Sequence, residues 1–224
     1  MTGVILWAGD VMTRRLPILL VPALAALALS FGQGRDLDAR VQQFLESNRG
    51  RWHDMNVPAV DGQTLHDIIV RHKYTRALEI GTSTGHSGIW IAWALSKTGG
   101  RLVTIDIDER RHRQAVQNFE AAGLSRFIDA RLGDAHDIVP SLEGPFDFVF
   151  SDADKDWYKN YLIAVLPKLQ AGGCYVTHNV SAGRRRGWGW GRDDYVEYLL
   201  GLPGLETTFD DRGAGMAISF KRNR

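Results

Sequence analysis

The sequence predicts an α/β fold with a seven-stranded, mostly parallel sheet and helices on both faces. Short apolar segments alternate with helical segments from residue 77 to residue 200, which is typical of parallel strands joined by helices. The first of these strands runs into a Gly-rich turn at residues 81–85 that opens a helix. Two apolar segments then end the chain with no helix between them. We therefore expect a final hairpin in which one strand runs antiparallel to the rest.

Hydrophobic spacing and helix-start residues assign the elements in order. The first helix carries Leu37, Val41, Phe44 and Leu45 on one face, and Asp61 is expected to cap the second helix because Asp is a favourable N-cap residue. Strands are predicted at residues 77–80, 101–105, 127–131, 146–151, 173–177, 206–210 and 214–221, and helices at 37–47, from 61 past 69, and at 87–95, 108–122, 135–142, 157–169 and 193–200. Because ligands of open α/β sheets bind beyond the carboxyl ends of the strands, the residues after each strand are the candidates for a site.

Composition and charge narrow the class of protein. The chain has 224 residues, of which 44% are hydrophobic and 24% are charged, the balance of a globular protein. Its net charge of +1 gives no reason to expect a nucleic-acid partner. Cys174 is the single cysteine, which excludes an intramolecular disulfide. We therefore expect a small-molecule partner and no nucleic acid.

Residues 16–31 differ in kind from the rest of the chain. They carry no charged side chain and directly follow Arg14 and Arg15, the order of basic and apolar regions in a signal peptide. The stretch is short for a membrane-spanning helix, although a marginal anchor stays open. We expect residues 1–31 to be a signal peptide or membrane anchor and residues 32–56 to be a linker with an N-terminal helix. The protein is then membrane-associated or exported, with a cytoplasmic location as the alternative.

The first two strand ends indicate a ligand that contains a nucleoside. The segment LEIGTSTGHS at residues 78–87 places Glu79 at the end of a strand and glycines in the turn that follows. Such a turn brings backbone N–H groups and a helix N-terminus close to a polar ligand. Asp106 follows the next strand, about 20 residues after Gly85, the spacing of an acid that binds both hydroxyls of a ribose.

The fourth and fifth strand ends carry the residues best suited to chemistry. The segment SDADKD at residues 151–156 follows one strand, and His178 and Asn179 follow the next. Carboxylate and amide oxygens beside a lysine and a histidine favour a metal site next to a proton acceptor. The alternative is that Asp154, Lys155 and Asp156 form a solvated helix start and that His178 only packs at the strand end.

Taken together, these segments resemble the cation-dependent O-methyltransferases of the catechol and caffeoyl-CoA type. The resemblance rests on VDGQ at residues 60–63, LEIGTSTGHS at 78–87, TIDID at 104–108, GDA at 133–135, FVFSDADKD at 148–156 and HNV at 178–180. They occur in the family's order and cover most of the chain after the linker. The resemblance implies a Rossmann-like class I methyltransferase domain at residues 57–224 that uses S-adenosylmethionine (SAM).

The resemblance also implies a role for each matching residue. SAM would be bound or bordered by Val57, Glu79, Gly81, Thr82, Ser83, Gly85, Ser87, Asp106, Asp134, Ala135 and His136. A divalent cation, Mg²⁺ or Mn²⁺, would be held by Asp152, His178 and Asn179. Lys155 matches the lysine that takes the proton from the acceptor hydroxyl, so Asp152 and Lys155 are the implied catalytic residues.

One position departs from the family's pattern. Where the family has Asp-Asn, this chain has His178 and Asn179. A neutral nitrogen ligand removes one negative charge, which shifts the preference from Mg²⁺ toward Mn²⁺, Fe²⁺, Co²⁺ or Zn²⁺. A site with a changed metal, a weak site, and a metal-free site with His178 as general base all stay open.

The implied activity is methyl transfer to a hydroxyl of a small, catechol-like aromatic molecule. Two alternatives remain: methylation of a hydroxylated RNA base, and a non-catalytic SAM-binding protein whose metal site has decayed. The loop at residues 181–192, which holds several Trp and Arg residues, is expected on the side of the acceptor. A homodimer is also left open.

Overall fold

A seven-stranded sheet forms the centre of the fold in the computed structural model, which describes residues 34, 36–181 and 192–223. The strands are β1 (Arg76–Ile80), β2 (Arg101–Asp106), β3 (Ile128–Leu132), β4 (Phe146–Ser151), β5 (Leu169–His178), β6 (Leu205–Asp210) and β7 (Met216–Lys221). Their order is β3-β2-β1-β4-β5-β7-β6. Strands β1 to β5 pair in parallel, and β7 is antiparallel to both β5 and β6. The predicted sheet with an antiparallel last strand is confirmed.

Helices cover both faces of the sheet. Residues Leu37–Arg224 form one compact unit. The helices are α1 (residues 36–47), α2 (Ala59–His72), α3 (His86–Thr98), α4 (Glu109–Ala122), α5 (Ala135–Ser141), α6 (Tyr158–Val165) and α7 (Arg192–Leu200). Neighbouring residues of β4 serve opposite faces: Phe148 packs with Ile89 in one core cluster, and Val149 packs with Leu162 in the other. Since side chains alternate along a strand, the burial of all six residues of β4 shows that this strand is covered on both faces.

Three helix starts show how the sequence sets the strand-to-helix turns. Gly85 caps α3 in a left-handed conformation, with φ of 95°. Asp108 caps α4 by accepting the N–H of Arg111 at 2.9 Å, and Asp134 caps α5 by accepting the N–H of His136 at 2.8 Å. These side chains satisfy N–H groups that a helix start leaves unpaired.

The expectation that Asp61 caps the second helix is wrong. Helix α2 begins at Ala59 and its N-cap residue is Pro58. The carbonyl of Pro58 accepts the N–H groups of Asp61 and Gly62, both at 3.1 Å, and so makes the first hydrogen bonds of the helix. Asp61 lies in the first turn, buried, and its carboxylate turns away from the helix axis to other partners.

Other bounds differ by a few residues. Strand β5 begins at Leu169, earlier than predicted, and α6 ends at Val165 rather than 169. A 3-10 turn at Leu166–Lys168 carries Pro167 and separates the two elements, because proline cannot continue the hydrogen bonds of an α-helix.

The search for membrane spans covers the described residues alone, and among them no helix combines the length and apolar character that crossing a bilayer requires. The predicted apolar segment at residues 16–31 lies outside the described residues. The same holds for residues 182–191, which make up most of the predicted acceptor loop.

Candidate active site

The carboxyl ends of the central strands surround one cavity. The register pairs Ile80 with both Ile105 and Ser151, and Ser151 with Thr177, so β1, β2, β4 and β5 end side by side. The cavity has a volume of about 750 Å³. The predicted site residues that line it are Gly81, Thr82, Ser83, Ser87, Asp106, Asp134, Ala135, His136, Asp152, Lys155, His178 and Asn179. Most of the predicted cofactor residues and all of the predicted metal residues therefore open onto one space.

The Gly-rich turn lies directly against the end of β4. Gly81 has a φ of 99°, and a Cβ atom there would lie 2.9 Å from the backbone of Asp152. Its N–H donates to the carbonyl of Ile105 at 3.0 Å, which ties the turn to β2. Only glycine combines this conformation with so close an approach. The absence of a side chain at residue 81 thus brings the turn next to Asp152.

Asp106 is oriented by the turn that it faces. One carboxylate oxygen accepts the N–H of Ser83 at 2.6 Å, and the other accepts the N–H of Asp108 at 2.8 Å. Two fixed N–H donors hold the carboxylate at the cavity wall. A carboxylate has lone pairs beyond these two bonds, so it can still accept hydrogen bonds from a pair of hydroxyls.

Glu79 supports the turn from behind and does not line the cavity. Its side chain is fully buried and accepts a hydrogen bond from the hydroxyl of Thr104 at 2.5 Å. Its other oxygen has no hydrogen-bond partner among the described residues. Burial, with the nearby charges of Asp152 and Asp106, raises the pKa of Glu79 to about 8 despite hydrogen bonds from Ser87 and Thr104 that lower it.

Val57 and Gly85 also lie behind the cavity wall. The carbonyl of Val57 is 2.8 Å from Nδ1 of His86, while Nε2 of the same ring accepts the indole N–H of Trp90 at 3.1 Å. These partners assign the ring proton to Nδ1, and burial lowers the pKa of His86. His86 thereby fixes the segment around Val57 to helix α3.

Aromatic rings line the far end of the cavity. His136 stacks on Trp157, with ring centroids 3.7 Å apart, and its Nε2 lies 3.2 Å from a carboxylate oxygen of Asp154. Asp134 and Ala135 line the cavity beside it. This end of the cavity therefore offers a flat ring beside which a planar aromatic group can stack.

Lys155 reaches the cavity although its neighbours form a helix start. Asp154 caps a 3-10 turn at Lys155–Trp157 by accepting the N–H of Asp156 at 3.2 Å. The ammonium of Lys155 donates to Oδ1 of Asn179 and lies 3.4 Å from Oδ1 of Asp152. Asp154 therefore caps a helix start, as the alternative interpretation expected, while Asp154 and Lys155 both line the cavity.

His178 lies between two carboxylates. Its Nε2 is hydrogen-bonded to Asp61 Oδ2 at 2.9 Å, and its Nδ1 is 3.0 Å from Asp152 Oδ2. The His178 side chain is only 4% exposed and that of Asp61 only 1%. Burial lowers the pKa of His178, but the charge of Asp152 and the contacts with both carboxylates outweigh this and raise it to about 9.

The donor atoms of Asp152, His178 and Asn179 fit a divalent cation. No group of three or more His, Cys, Asp and Glu side chains forms a metal cluster within the part of the chain that is described, yet the donor set also includes the amide of Asn179. Nδ1 of His178 is buried, has no assigned hydrogen-bond partner among the described residues, and lies 3.0 Å from Asp152 Oδ2. Asp152, His178 and Asn179 would hold a divalent cation through a carboxylate oxygen, Nδ1 of the imidazole and an amide oxygen, which all line the same cavity.

Sequence analysis missed two contributions to the site. Asp61 binds His178 from 117 residues away, and Asp54 pairs with Arg110 and Arg111 at 2.6 and 2.9 Å, which fastens the segment before α2 to α4. These hydrogen bonds lower the pKa of Asp54 to about 2. The motif VDGQ marked the position of Asp61 without its partner, and no pattern in the sequence marked Asp54.

The chain belongs to the O-methyltransferase family, whose model matches residues 37–183. A catechol O-methyltransferase from Niastella koreensis is 42% identical over 107 residues, which cover 46% of this chain and 48% of that protein. Caffeoyl-CoA O-methyltransferase 1 from Zea mays is 35% identical over 128 residues, which cover 54% of this chain and 49% of that protein. The chain thus spans about half the length of these curated relatives. The resemblance inferred from the motifs is confirmed.

A solved structure agrees in fold over most of the chain. The O-methyltransferase TomG from Streptomyces achromogenes, involved in tomaymycin synthesis and solved in complex with SAM, is 27% identical with a TM-score of 0.69. The match covers 82% of this chain and 90% of that protein. The Rossmann-like methyltransferase fold is therefore established.

Proposed function

We propose that this chain transfers the methyl group of SAM to a hydroxyl of a small, catechol-like aromatic acceptor, assisted by a divalent cation and by Lys155 as the base. The observation that carries the proposal is the single cavity that joins the Gly-rich turn to Asp152 and Lys155. A volume of about 750 Å³ suits small molecules. Relatives named catechol and caffeoyl-CoA O-methyltransferases support the acceptor class.

The cofactor end of the proposal rests on the turn and on Asp106. The turn at residues 81–85 and the start of α3 present backbone and hydroxyl groups to the cavity, and Asp106 offers a carboxylate to two hydroxyls. When bound, SAM supplies an electrophilic methyl group on a sulfonium. Because its displacement is in line, the chief task of the protein is to align the methyl group with the acceptor oxygen.

The acceptor end rests on Asp152, His178, Asn179 and Lys155. Asp152, His178 and Asn179 would hold a divalent cation, which would lower the pKa of an acceptor hydroxyl beside it. Lys155 takes up the proton that this hydroxyl loses. Because the site offers a histidine nitrogen, we propose Mn²⁺ or a softer ion over Mg²⁺.

The test is methyl transfer by the full-length protein to paired acceptors. We expect catechol to be methylated and phenol, which lacks the second hydroxyl, to be a much poorer acceptor. Chelated protein is assayed after addition of Mg²⁺, Mn²⁺ or Zn²⁺, with S-adenosylhomocysteine and the methylated product measured by mass spectrometry. SAM binding by calorimetry without turnover under any metal would show a non-catalytic SAM-binding protein. Methylation of a hydroxylated RNA base alone would overturn the acceptor class.

Membrane association through residues 16–31 and a homodimer stay predictions. Fractionation of cells with N-terminal sequencing of the mature chain tests the first. Light scattering of the purified protein tests the second.

A further inference from the structure

The helix start of α2 places a buried carboxylate against the proposed cation site from the side opposite to the cavity. Asp61 Oδ2 is 2.9 Å from Nε2 of His178, and both side chains are almost completely buried. Neither the VDGQ motif nor the proposed reaction assigns a role to this carboxylate. A buried, charged side chain is costly unless it has partners of matching chemistry, so its placement calls for an explanation.

The protein holds Asp61 in place by two further contacts. The N–H of Ala214 donates to the same Oδ2 atom at 3.0 Å, and a Cβ at Gly213 would lie 1.7 Å from Asp61 Oδ1. The loop between β6 and β7 can therefore cover Asp61 only because residue 213 is a glycine. The carboxylate has little room to move, and its oxygen faces the imidazole.

The imidazole is held from its backbone side as well. The carbonyl of His178 accepts a hydrogen bond from the hydroxyl of Tyr158 at 3.0 Å. With Nε2 donating to Asp61, loss of the Nδ1 proton to solvent as a cation binds would leave a lone pair on Nδ1, the nitrogen beside Asp152. A histidine that ligates a metal commonly donates its other N–H to a carboxylate, which fixes the tautomer and makes the ligating nitrogen more basic.

We propose that Asp61 is a positioning residue that holds His178 with Nδ1 toward Asp152. This nitrogen and the carboxylate oxygen of Asp152 then form a mixed nitrogen and oxygen site for a divalent cation of borderline softness. The inference rests on the divalent cation of the proposed function. The family has an aspartate where this chain has His178, so one negative charge is missing from the ligands. The carboxylate of Asp61 restores that charge behind the imidazole, without contacting the cation itself. This mixed nitrogen and oxygen site then binds Co²⁺ or Zn²⁺ more tightly than Mg²⁺.

The test is a titration of the full-length protein with Co²⁺, and separately with Mg²⁺, by calorimetry and visible absorption. Asp61→Asn keeps the size of the side chain, and we expect it to weaken Co²⁺ binding about tenfold to hundredfold. Asp67→Asn is the matched control, because Asp67 lies on the same helix with its side chain 57% exposed. It should leave Co²⁺ affinity unchanged, and SAM affinity should be unchanged in both variants.

A double-mutant cycle separates positioning from general damage to the fold. In a His178→Ala background, Asp61→Asn should cause no further loss of Co²⁺ affinity, because its effect passes through the imidazole. Equal losses in both backgrounds, wild-type Co²⁺ affinity in Asp61→Asn, or no Co²⁺ binding by the wild-type protein would each overturn the inference. Methyl transfer that persists in chelated protein would then leave the proposed transfer standing. Loss of Co²⁺ binding in Asp61→Asn, without methyl transfer by the wild type, would refute the proposed function alone.

Discussion

At the scale of single residues, the environment of His178 determines what the site can hold. The ring contacts two carboxylates, one from the end of β4 and one from the first turn of α2. An aspartate at this position would meet Asp61 as a like charge in a buried place, which is unfavourable. The histidine and Asp61 are therefore best understood as a pair.

Removal of the lysine amine tests the proposed base. We expect Lys155→Ala to lower kcat about 10²- to 10⁴-fold, the usual contribution of a general base, with little change in SAM affinity. Steady-state kinetics and calorimetry measure the two effects. The matched control is Lys159→Ala, since Lys159 lies exposed on α6 with its ammonium over the ring of Tyr198. If Lys155→Ala keeps wild-type kcat, Lys155 is not the base.

Glu79 gives a prediction about pH and stability. Its pKa rises from an ordinary 4.5 to about 8 in the folded protein. The stability that it contributes is thus fully present below pH 4.5 and is lost as the pH rises to about 8. Glu79→Gln removes this dependence, so the free energy of unfolding of the wild type relative to the variant should fall by up to about 1.4 kcal/mol per pH unit.

Urea unfolding of the cofactor-free protein from pH 5 to pH 8 measures this difference. Glu109→Gln serves as the control, since Glu109 lies exposed at the start of α4. Its pH profile should match that of the wild type. A pH profile of Glu79→Gln parallel to the wild type would contradict a buried acid that stays protonated near neutral pH.

The sequence predicted most of the residues of the site but not their support. Asp106, Asp152 and Lys155 follow strands directly, and parallel strands bring their carboxyl ends to one edge. Asp61 could not be predicted as a partner of His178, because nothing local links residues so far apart in the chain. Its assignment as a helix cap was wrong for the same reason, since the tertiary contact overrides the local preference.

At the scale of elements, the Gly81 turn determines how closely the cofactor side and the Asp152 side approach. Gly81→Ala places a Cβ against the backbone of Asp152 in a conformation unfavourable to alanine. We expect a loss of about 2–3 kcal/mol of stability together with a loss of SAM binding. Urea unfolding and calorimetry measure these effects.

Gly99→Ala is the matched control for backbone conformation alone. Gly99 also has a positive φ, of 78°, but a Cβ there meets nothing within 4 Å. This variant should lose about 1–2 kcal/mol of stability and keep wild-type SAM affinity. Equal SAM affinity in the two variants would contradict a close-approach role for Gly81.

The sequence predicted the type and order of the elements better than their bounds. Strand β4 has the predicted limits, because apolar residues and a polar strand end define it on both sides. The start of β5 at Leu169 was missed because the first five residues of the strand include Gly172 and Gly173, and glycine is a weak strand former. The pairing of Leu169 with Phe146 of β4 holds this start of the strand in the sheet.

At the scale of the whole molecule, the sheet order brings all parts of the proposed site together at the carboxyl ends of the parallel strands. The sequence implied parallel strands and a final hairpin, but not that β7 lies between β5 and β6. A hairpin fixes the pairing of its own two strands and leaves open which of them joins the sheet. In this chain β7 lies next to β5, and this position brings the loop between β6 and β7 over Asp61.

The most direct test of the central claim follows a labelled methyl group. The full-length protein is incubated with SAM carrying a trideuterated methyl group, with catechol and with Mn²⁺, and the products are weighed by mass spectrometry. We predict a catechol methyl ether that carries all three deuterium atoms, formed together with an equal amount of S-adenosylhomocysteine, and no product from Asp152→Ala. SAM binding without label in any hydroxylated acceptor, under any of the tested metals, would contradict the claim.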